Sequence, residues 1–520
     1  MEHTEYYVCS RATDHSGVGR QVSGTTGRRE VFMASASILD IKSRWELFVD
    51  DALIASLGGK ASRRLHQPVA RDAALFTDRP WEGNMCGYVT CFRDGDRFRL
   101  YYKAWRVVLS DASQGERLYS PHGLMIGYAE SDDGITWRRP SLGLVDFEGS
   151  TDNNLVFTGI GELQKGVHGF APFRDDNPGC PPEARYKALG ADDGRWPNRQ
   201  LFALQSPDGL RWSLMREEPL AIQGAFDSQN LAFWDAERGE YRAYVRDKNG
   251  ARGIRTCTSR DFLDWTPAEW LDYGDAPTEQ LYTSQVLPYY RAPHLFLGFP
   301  TRYVERPWSA TVEALPELEH RRLRASVNER FGAALTDGQF MASRDGRTFK
   351  RWDETFIRPG LRTEGSWTYG DAYQGWGLLE TPSHLPGAPN ELSMFASEGI
   401  WRGESMTLRR YTLRIDGFVS VHAPMGGGEL VTHPFTFTGD RLLLNIATSA
   451  GGGARVELQS PEGRPLEGFT LEDCVEIIGD MLEYPVCWRG SARLRALSGR
   501  PVRLRVVLHD ADLYGFRFAD

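Results

Sequence analysis

No run in the chain approaches the roughly 18 apolar residues that span a bilayer, so no membrane-crossing helix and no membrane partner are expected. Basic charge is not in excess either. Lys and Arg number 61 against 70 Asp and Glu, a net charge of −9 with a pI near 5.8. That balance excludes nucleic acid as the main ligand, because a phosphate-binding surface is basic. Cysteine is sparse and unpatterned: Cys9, Cys86, Cys91, Cys180, Cys257, Cys474 and Cys487 are odd in number and show no CxxC or Cys/His spacing. Neither a disulfide framework nor a zinc site is expected; these are small, mostly buried residues of a reducing compartment. The first residues, MEHTEYYVCSRATDHSG, lack the basic-then-apolar pattern of a secretory leader. A cytoplasmic location is expected, and secretion would require a different start. Nothing in the sequence speaks to oligomeric state.

What the chain does contain is β-structure signal. Its 520 residues are 41% hydrophobic and 25% charged, enough for two or more domains with a large core. Aromatics reach 12%, with 15 Trp, which suits both β-sheet cores and sugar-facing surfaces. Asp94-Gly95 lies between two aromatic-rich runs, a hairpin signal. The tetrad Ser-x-Asp-Gly followed by an aromatic recurs. It reads Ser131-Asp132-Asp133-Gly134 with Trp137, Ser206-Pro207-Asp208-Gly209 with Trp212, and Ser343-Arg344-Asp345-Gly346 with Phe349. Looser copies are Ser259 to Trp265 and Asp416-Gly417-Phe418. Such a tetrad closes a tight turn through side-chain-to-backbone bonds, so these residues are structural punctuation. Copies spaced by tens of residues suit four-stranded units with variable insertions.

The predicted organisation is all-β. Residues 1–40, polar and without period, form a flexible arm. Residues 41–424 form a five-bladed β-propeller, with one helical insertion over residues 314–331, and its second unit begins at Asn154. After the joint Met425-Gly426-Gly427-Gly428, residues 425–520 form a β-sandwich.

In a propeller the innermost strand of each blade lines the axis, so polar residues at the heads of those strands converge on one pocket. These heads carry Glu82, His168 with Asp175, Asp227 with Asn230, Glu279 with Tyr282, and Tyr373 with Gln374. Converging carboxylates suit glycosidic cleavage: one acid protonates the leaving oxygen, and the other attacks the sugar or activates water. Asp227 and Glu279 are the expected working pair, with Glu82 or Asp50 as a third carboxylate. Trp81, His168, Asp175, Asn230, Arg246, Tyr282, Tyr373 and Gln374 are the expected sugar-holding groups. No metal motif occurs and no cofactor is required, while a structural calcium on the axis is compatible with oxygen ligands.

The repeated blade endings, the Asp-Gly hairpin and the trailing β-domain resemble the five-bladed propeller glycoside hydrolases, the superfamily of families 32, 43, 62 and 68. Phe48-Val49-Asp50-Asp51 or Trp81-Glu82-Gly83-Asn84 stands where those enzymes place their first-blade aspartate. Arg174-Asp175-Asp176 stands where family 32 has Arg-Asp-Pro. The resemblance implies a hydrolase for a furanoside or related small glycoside, with carbohydrate as its partner. Two alternatives stay open: a non-catalytic sugar-binding propeller, and a glycoside phosphorylase. The latter would need two or more basic residues beside the carboxylates, for which His168, Arg246 and Arg302 are candidates.

Overall fold

The computed structural model describes residues 38–110, 118–194, 199–490 and 492–520. The predicted arm, Cys9 included, lies outside the described residues but for its last three. Strands dominate, and five four-stranded antiparallel sheets follow one another along the chain. The first is made of Thr90–Asp94, Arg97–Ala104, Met125–Ser131 and Leu155–Phe157. The second runs from His168–Arg174 through Tyr186–Ala191 and Leu201–Ser206 to Ser213–Leu214. The third comprises Leu231–Asp235, Glu240–Asn249, Ala251–Ser259 and Glu269–Trp270. The fourth comprises Leu287–Tyr289, Ala292–Gly298, Met341–Ser343 and Lys350–Arg351. The fifth takes Leu379–Thr381, Glu391–Glu398 and Thr407–Arg414, and its outer strand, Val69–Phe76, comes from near the start of the chain. The segment beginning at Asn154 therefore completes the first sheet and does not open the second. The helical insertion is three short helices, Ala310–Glu313, Leu318–Val327 and Glu329–Ala333.

The recurring tetrads act as turns. In each, the Ser hydroxyl accepts the N–H three residues on: Gly134 at 2.8 Å, Gly209 at 2.8 Å, Phe262 at 2.9 Å and Gly346 at 2.9 Å. The Asp carboxylate accepts the next two N–H groups, as Asp133 does from Ile135 and Thr136. The fourth position is left-handed throughout, φ +72° to +79° at the three glycines and +71° at Phe262. Phe262 adopts it because its fully buried ring packs on Tyr241, Trp265 and Phe173, and that burial offsets the backbone cost.

The domain boundaries differ from those expected. Residues 39–65 do not belong with the five sheets. Leu39–Lys42 pairs with Phe435–Phe437, Glu46–Leu47 with Arg503–Ala519, Ile54–Gly59 with Gly428–Thr432, and Ser62–Leu65 with Val419–Ala423. The last three strands join an eight-stranded C-terminal sheet whose long strands, Arg441–Gln459 and Arg503–Ala519, bend at register shifts. Short strands such as Glu46–Leu47 carry too little pattern to reveal that their partners lie more than 350 residues away.

This N-terminal segment is tied to the fourth sheet by charge. Glu46 is fully buried and meets His294 at 3.2 Å, Arg344 at 2.9 Å and Arg44 at 3.1 Å. Burial alone would raise the Glu46 carboxyl, but these three partners outweigh it and pull it down to about 2. Asp50 shares the cluster, bonding Arg344 at 2.6 Å. It is a junction residue, which corrects the expectation that it belongs to the site.

Buried amides link the segments that lead into the third, fourth and fifth sheets with one another and with the first sheet. Gln229 Nε2 donates to Thr90 Oγ1 at 2.9 Å and to the Tyr88 carbonyl at 3.2 Å. Gln285 Nε2 donates to Gln229 Oε1 and to the Gln374 carbonyl, both at 2.8 Å. Gln374 Nε2 donates to the Phe299 and Gln339 carbonyls at 3.1 Å. The chain reaches these contacts through left-handed kinks at Tyr88, Gly169, Gln285 and Ala372, φ +44° to +61°. At Gly169 a Cβ would stand 2.3 Å from the Ser228 carbonyl, so close approach of two sheets requires glycine there.

Two outcomes follow. Gln285→Leu leaves the Gln229 oxygen and the Gln374 carbonyl buried without donors, and it lowers unfolding free energy by about 3 kcal/mol; a urea midpoint within error of wild type would contradict this. Glu46→Gln costs about 3 kcal/mol at neutral pH by uncoupling a buried charge cluster. The native Glu46 carboxyl is depressed, so its stabilisation exists above the ordinary value of 4.5 and fades as pH falls toward 2. The gap between Glu46→Gln and wild type in urea titrations should narrow over that window and stay constant from pH 5 to 7.

Candidate active site

Asp227 stands just before the third sheet's first strand, two residues ahead of Gln229, with 35% of its side chain exposed. Its neighbours are basic. His168 Nε2 is 3.6 Å from one carboxylate oxygen and Arg199 Nε is 3.9 Å from the same oxygen. Arg246 Nη1 is 3.6 Å from the other oxygen and donates to the Asp227 carbonyl at 2.6 Å. Asn230 fixes this corner: its Oδ1 accepts the Arg246 N–H at 3.0 Å and its Nδ2 donates to the Ser228 carbonyl at 2.9 Å. Its amide is thus spent on backbone, and so is that of Gln374; both were expected to hold sugar.

Lys103 is the fourth basic group. It is 95% buried, with its ammonium 4.9 Å from the Tyr88 ring centroid and 4.7 Å from that of Trp105. Burial lowers Lys103 to about 8, while Cys86, Asp227 and Asp193 pull the other way. His168 is held well below its usual value by burial and by Arg199, Lys103 and Arg246, so it is neutral at neutral pH.

A second carboxylate reaches the same guanidinium. Asp193 Oδ1 is 3.4 Å from Arg199 Nη1. Because Arg199 contacts both acids, the Asp193 and Asp227 carboxylates lie no more than about 10 Å apart, a limit that includes the separations of glycosidase acid pairs. Desolvation raises the Asp193 carboxyl and Arg199 opposes it; with 41% of the side chain still exposed, the rise is modest.

Tyrosines wall the site. Tyr88 stacks on Tyr373 at 6.5 Å between centroids and meets His168 edge-on at 5.9 Å. Tyr282 packs on Tyr373 at 5.2 Å and carries the Arg246 guanidinium 5.1 Å above its ring. These rings line a small cavity of about 40 Å³ with Lys103 and Trp401. The helical insertion supports its roof through Phe331, which stacks on Tyr369 and packs on Trp401 at 4.8 Å. Burial raises all of these tyrosine hydroxyls, which therefore stay protonated.

Of the residues expected here, Asp227, His168, Arg246, Tyr282 and Tyr373 come together. Others do not. Glu279 is bound by Arg302 at 2.7 Å, Gln339 at 2.8 Å and Arg351 at 3.2 Å. Burial pushes its carboxyl up, but those bonds win and lower it, the wrong direction for a proton donor. Arg302 in turn holds Asp337 at 2.7 Å, so its guanidinium is committed to Glu279 and Asp337. Glu82 is buried against Tyr102, with Arg139 at 2.8 Å and the Arg79 N–H at 3.0 Å closing it off. Trp81 donates to Asn154 at 2.7 Å at the edge of the first sheet. Asp175 accepts from Tyr241 at 2.6 Å and pairs with Lys187; it follows the far end of the strand that His168 begins, about 20 Å away. Among the described residues no cluster of three or more His, Cys, Asp or Glu side chains is placed to hold a metal ion.

A larger cavity, about 670 Å³, lies beside Asp371 and Ala372, but its acids are already engaged. Glu398 bonds Arg409 and Glu364 pairs with Arg402. Asp371, pushed up to about 7 by burial, accepts the Thr368 and Gly399 N–H groups at 3.1 and 3.0 Å.

No model of a known protein family matches the chain, and no curated protein matches it. Solved structures do. A thermostable family-43 glycoside hydrolase matches at 12% identity and a TM-score of 0.38, over 68% of this chain and 96% of its own. The endo-arabinase from Bacteroides thetaiotaomicron matches at 9% identity and a TM-score of 0.37, over 66% and 98%. A family-32 β-fructofuranosidase from Bombyx mori in complex with sucrose matches at 10% identity and a TM-score of 0.37, over 88% and 94%.

Proposed function

We propose that this chain is a glycosidase, with the five sheets as propeller blades around the axial amides and the eight-stranded C-terminal sheet as an accessory β-sandwich. Its substrate is a furanoside or related small glycoside bound at the mouth of the axis. The observation that carries the reading is the placement of Asp193 and Asp227 on two nitrogens of one arginine, next to stacked tyrosine faces. The two acids sit in unlike surroundings, the arrangement that divides acid from base.

Asp193, whose carboxyl is raised, donates its proton to the leaving oxygen as the glycosidic bond breaks. Asp227, among cations, is the carboxylate that attacks the anomeric carbon or takes a proton from the attacking water. Arg199, between the acids, holds their separation, and Arg246 fixes the Asp227 backbone. Tyr88 and Tyr373 offer ring faces to sugar C–H groups.

A panel of aryl furanosides and pyranosides, with unactivated oligosaccharides beside them, tests this. Asp227→Asn should lose about 10²–10⁴-fold in kcat/KM on every substrate turned over. Asp193→Asn should lose as much on unactivated glycosides but far less on nitrophenyl glycosides, whose leaving group needs no proton. Turnover by Asp227→Asn equal to wild type, or sugar binding with no turnover by wild type, would overturn the assignment.

A further inference from the structure

The electrostatics of the site are at odds with the chain around it. The protein carries a net −9, yet three cations, Lys103, Arg199 and Arg246, converge on Asp227. Three more stand around them. Arg252 lies over the Tyr282 and Tyr303 rings at 5.6 and 4.1 Å, and Arg330 lies beside Tyr369. Lys248 is pushed down by burial and then by the charges of Arg246, Arg252 and Arg330, with Asp227 opposing. At the centre, the two acids Asp227 and Asp193 face three cations, Lys103, Arg199 and Arg246, and neutral sugar hydroxyls do not require that excess. Lys103 and Arg246 are both buried, and holding two buried cations close together costs stability, which an anionic occupant would offset.

The donors point the same way. Arg246 and His168 are more than nine-tenths buried. Arg246 Nε, His168 Nε2 and Arg199 Nε are all buried without a hydrogen-bond partner, and all three belong to the side chains around Asp227. Buried donors left unmade are costly, and an oxyanion would satisfy them while cancelling charge.

We infer that the site holds an oxyanion, a carboxylate, sulfate or phosphate group, on Arg199, Arg246 and Lys103, with His168 as a neutral N–H donor beside it. The oxyanion has two sources: a free inorganic anion, or an acidic substituent of the sugar itself. This deepens the glycosidase reading by naming the charge of what enters the site.

Isothermal titration of the whole chain at fixed ionic strength with inorganic phosphate, D-glucuronate and D-glucose tests it directly. At least one of the two anions should bind ten-fold or more tighter than glucose. Lys103→Met should weaken that anion at least ten-fold and shift glucose far less, with a thermal melt to check that the variant folds. Arg199→Gln gives the same readout if Lys103→Met does not fold. Binding of phosphate, with turnover that depends on it, identifies the free anion as the source; binding of glucuronate alone identifies the sugar. Neither anion binding better than glucose, or an affinity unmoved in both variants, overturns the inference. Because binding is read without turnover, an inactive protein that takes the anion sinks the glycosidase reading alone, and an active one that ignores both anions sinks this inference alone.

Discussion

Three glutamine side chains set the geometry of everything else. Gln285 joins Gln229 to the Gln374 backbone, Gln229 reaches Thr90 of the first sheet, and Gln374 reaches the Phe299 and Gln339 carbonyls, all through buried amides. A buried amide that loses its partner is expensive, so the sheets are held to one spacing around the axis. The left-handed kinks at Tyr88, Gln285 and Ala372 are a cost carried at the same place. They turn the chain as it reaches the axis, and Tyr88 and Tyr373 emerge from those turns onto the wall beside Asp227. Rigidity below and chemistry above come from the same few residues.

Charge is distributed by a similar logic. Many acids among the described residues are spent on arginine: Glu46 and Asp50 on Arg344, Glu279 on Arg302 and Arg351, Glu82 on Arg139. Each such pair ties loops or strands together and removes its carboxylate from chemistry. At Asp227 the proportion is reversed, with more cations than acids and buried donors left open. That reversal, more than the presence of a carboxylate, marks the site.

Much of the architecture was legible in the sequence because it repeats. The Ser-x-Asp-Gly turns are local, and each closes through bonds to the next few residues, so their form follows from four letters. The all-β reading and the helical insertion follow for the same reason. The rest depends on partners distant in sequence. Nothing near Asp50 reveals that Arg344 will bind it, and nothing in Glu46-Leu47 reveals a C-terminal partner strand. Asp227, His168 and Arg246 were legible as polar residues at the heads or tails of buried strands. Lys103 leaves one trace in the sequence, a lysine inside the aromatic-rich run Leu-Tyr-Tyr-Lys-Ala-Trp. Asp193 and Arg199 sit in a loop without periodicity and left none.

The most direct test of the central claim is where a ligand sits. In a crystal structure of this protein with a non-hydrolysable glycoside that it binds, the sugar should lie on Tyr88 and Tyr373 with its glycosidic oxygen between Asp193 and Asp227. Density for the sugar at Glu279, or in the larger cavity beside Asp371, with the Asp227 site left empty, would contradict it.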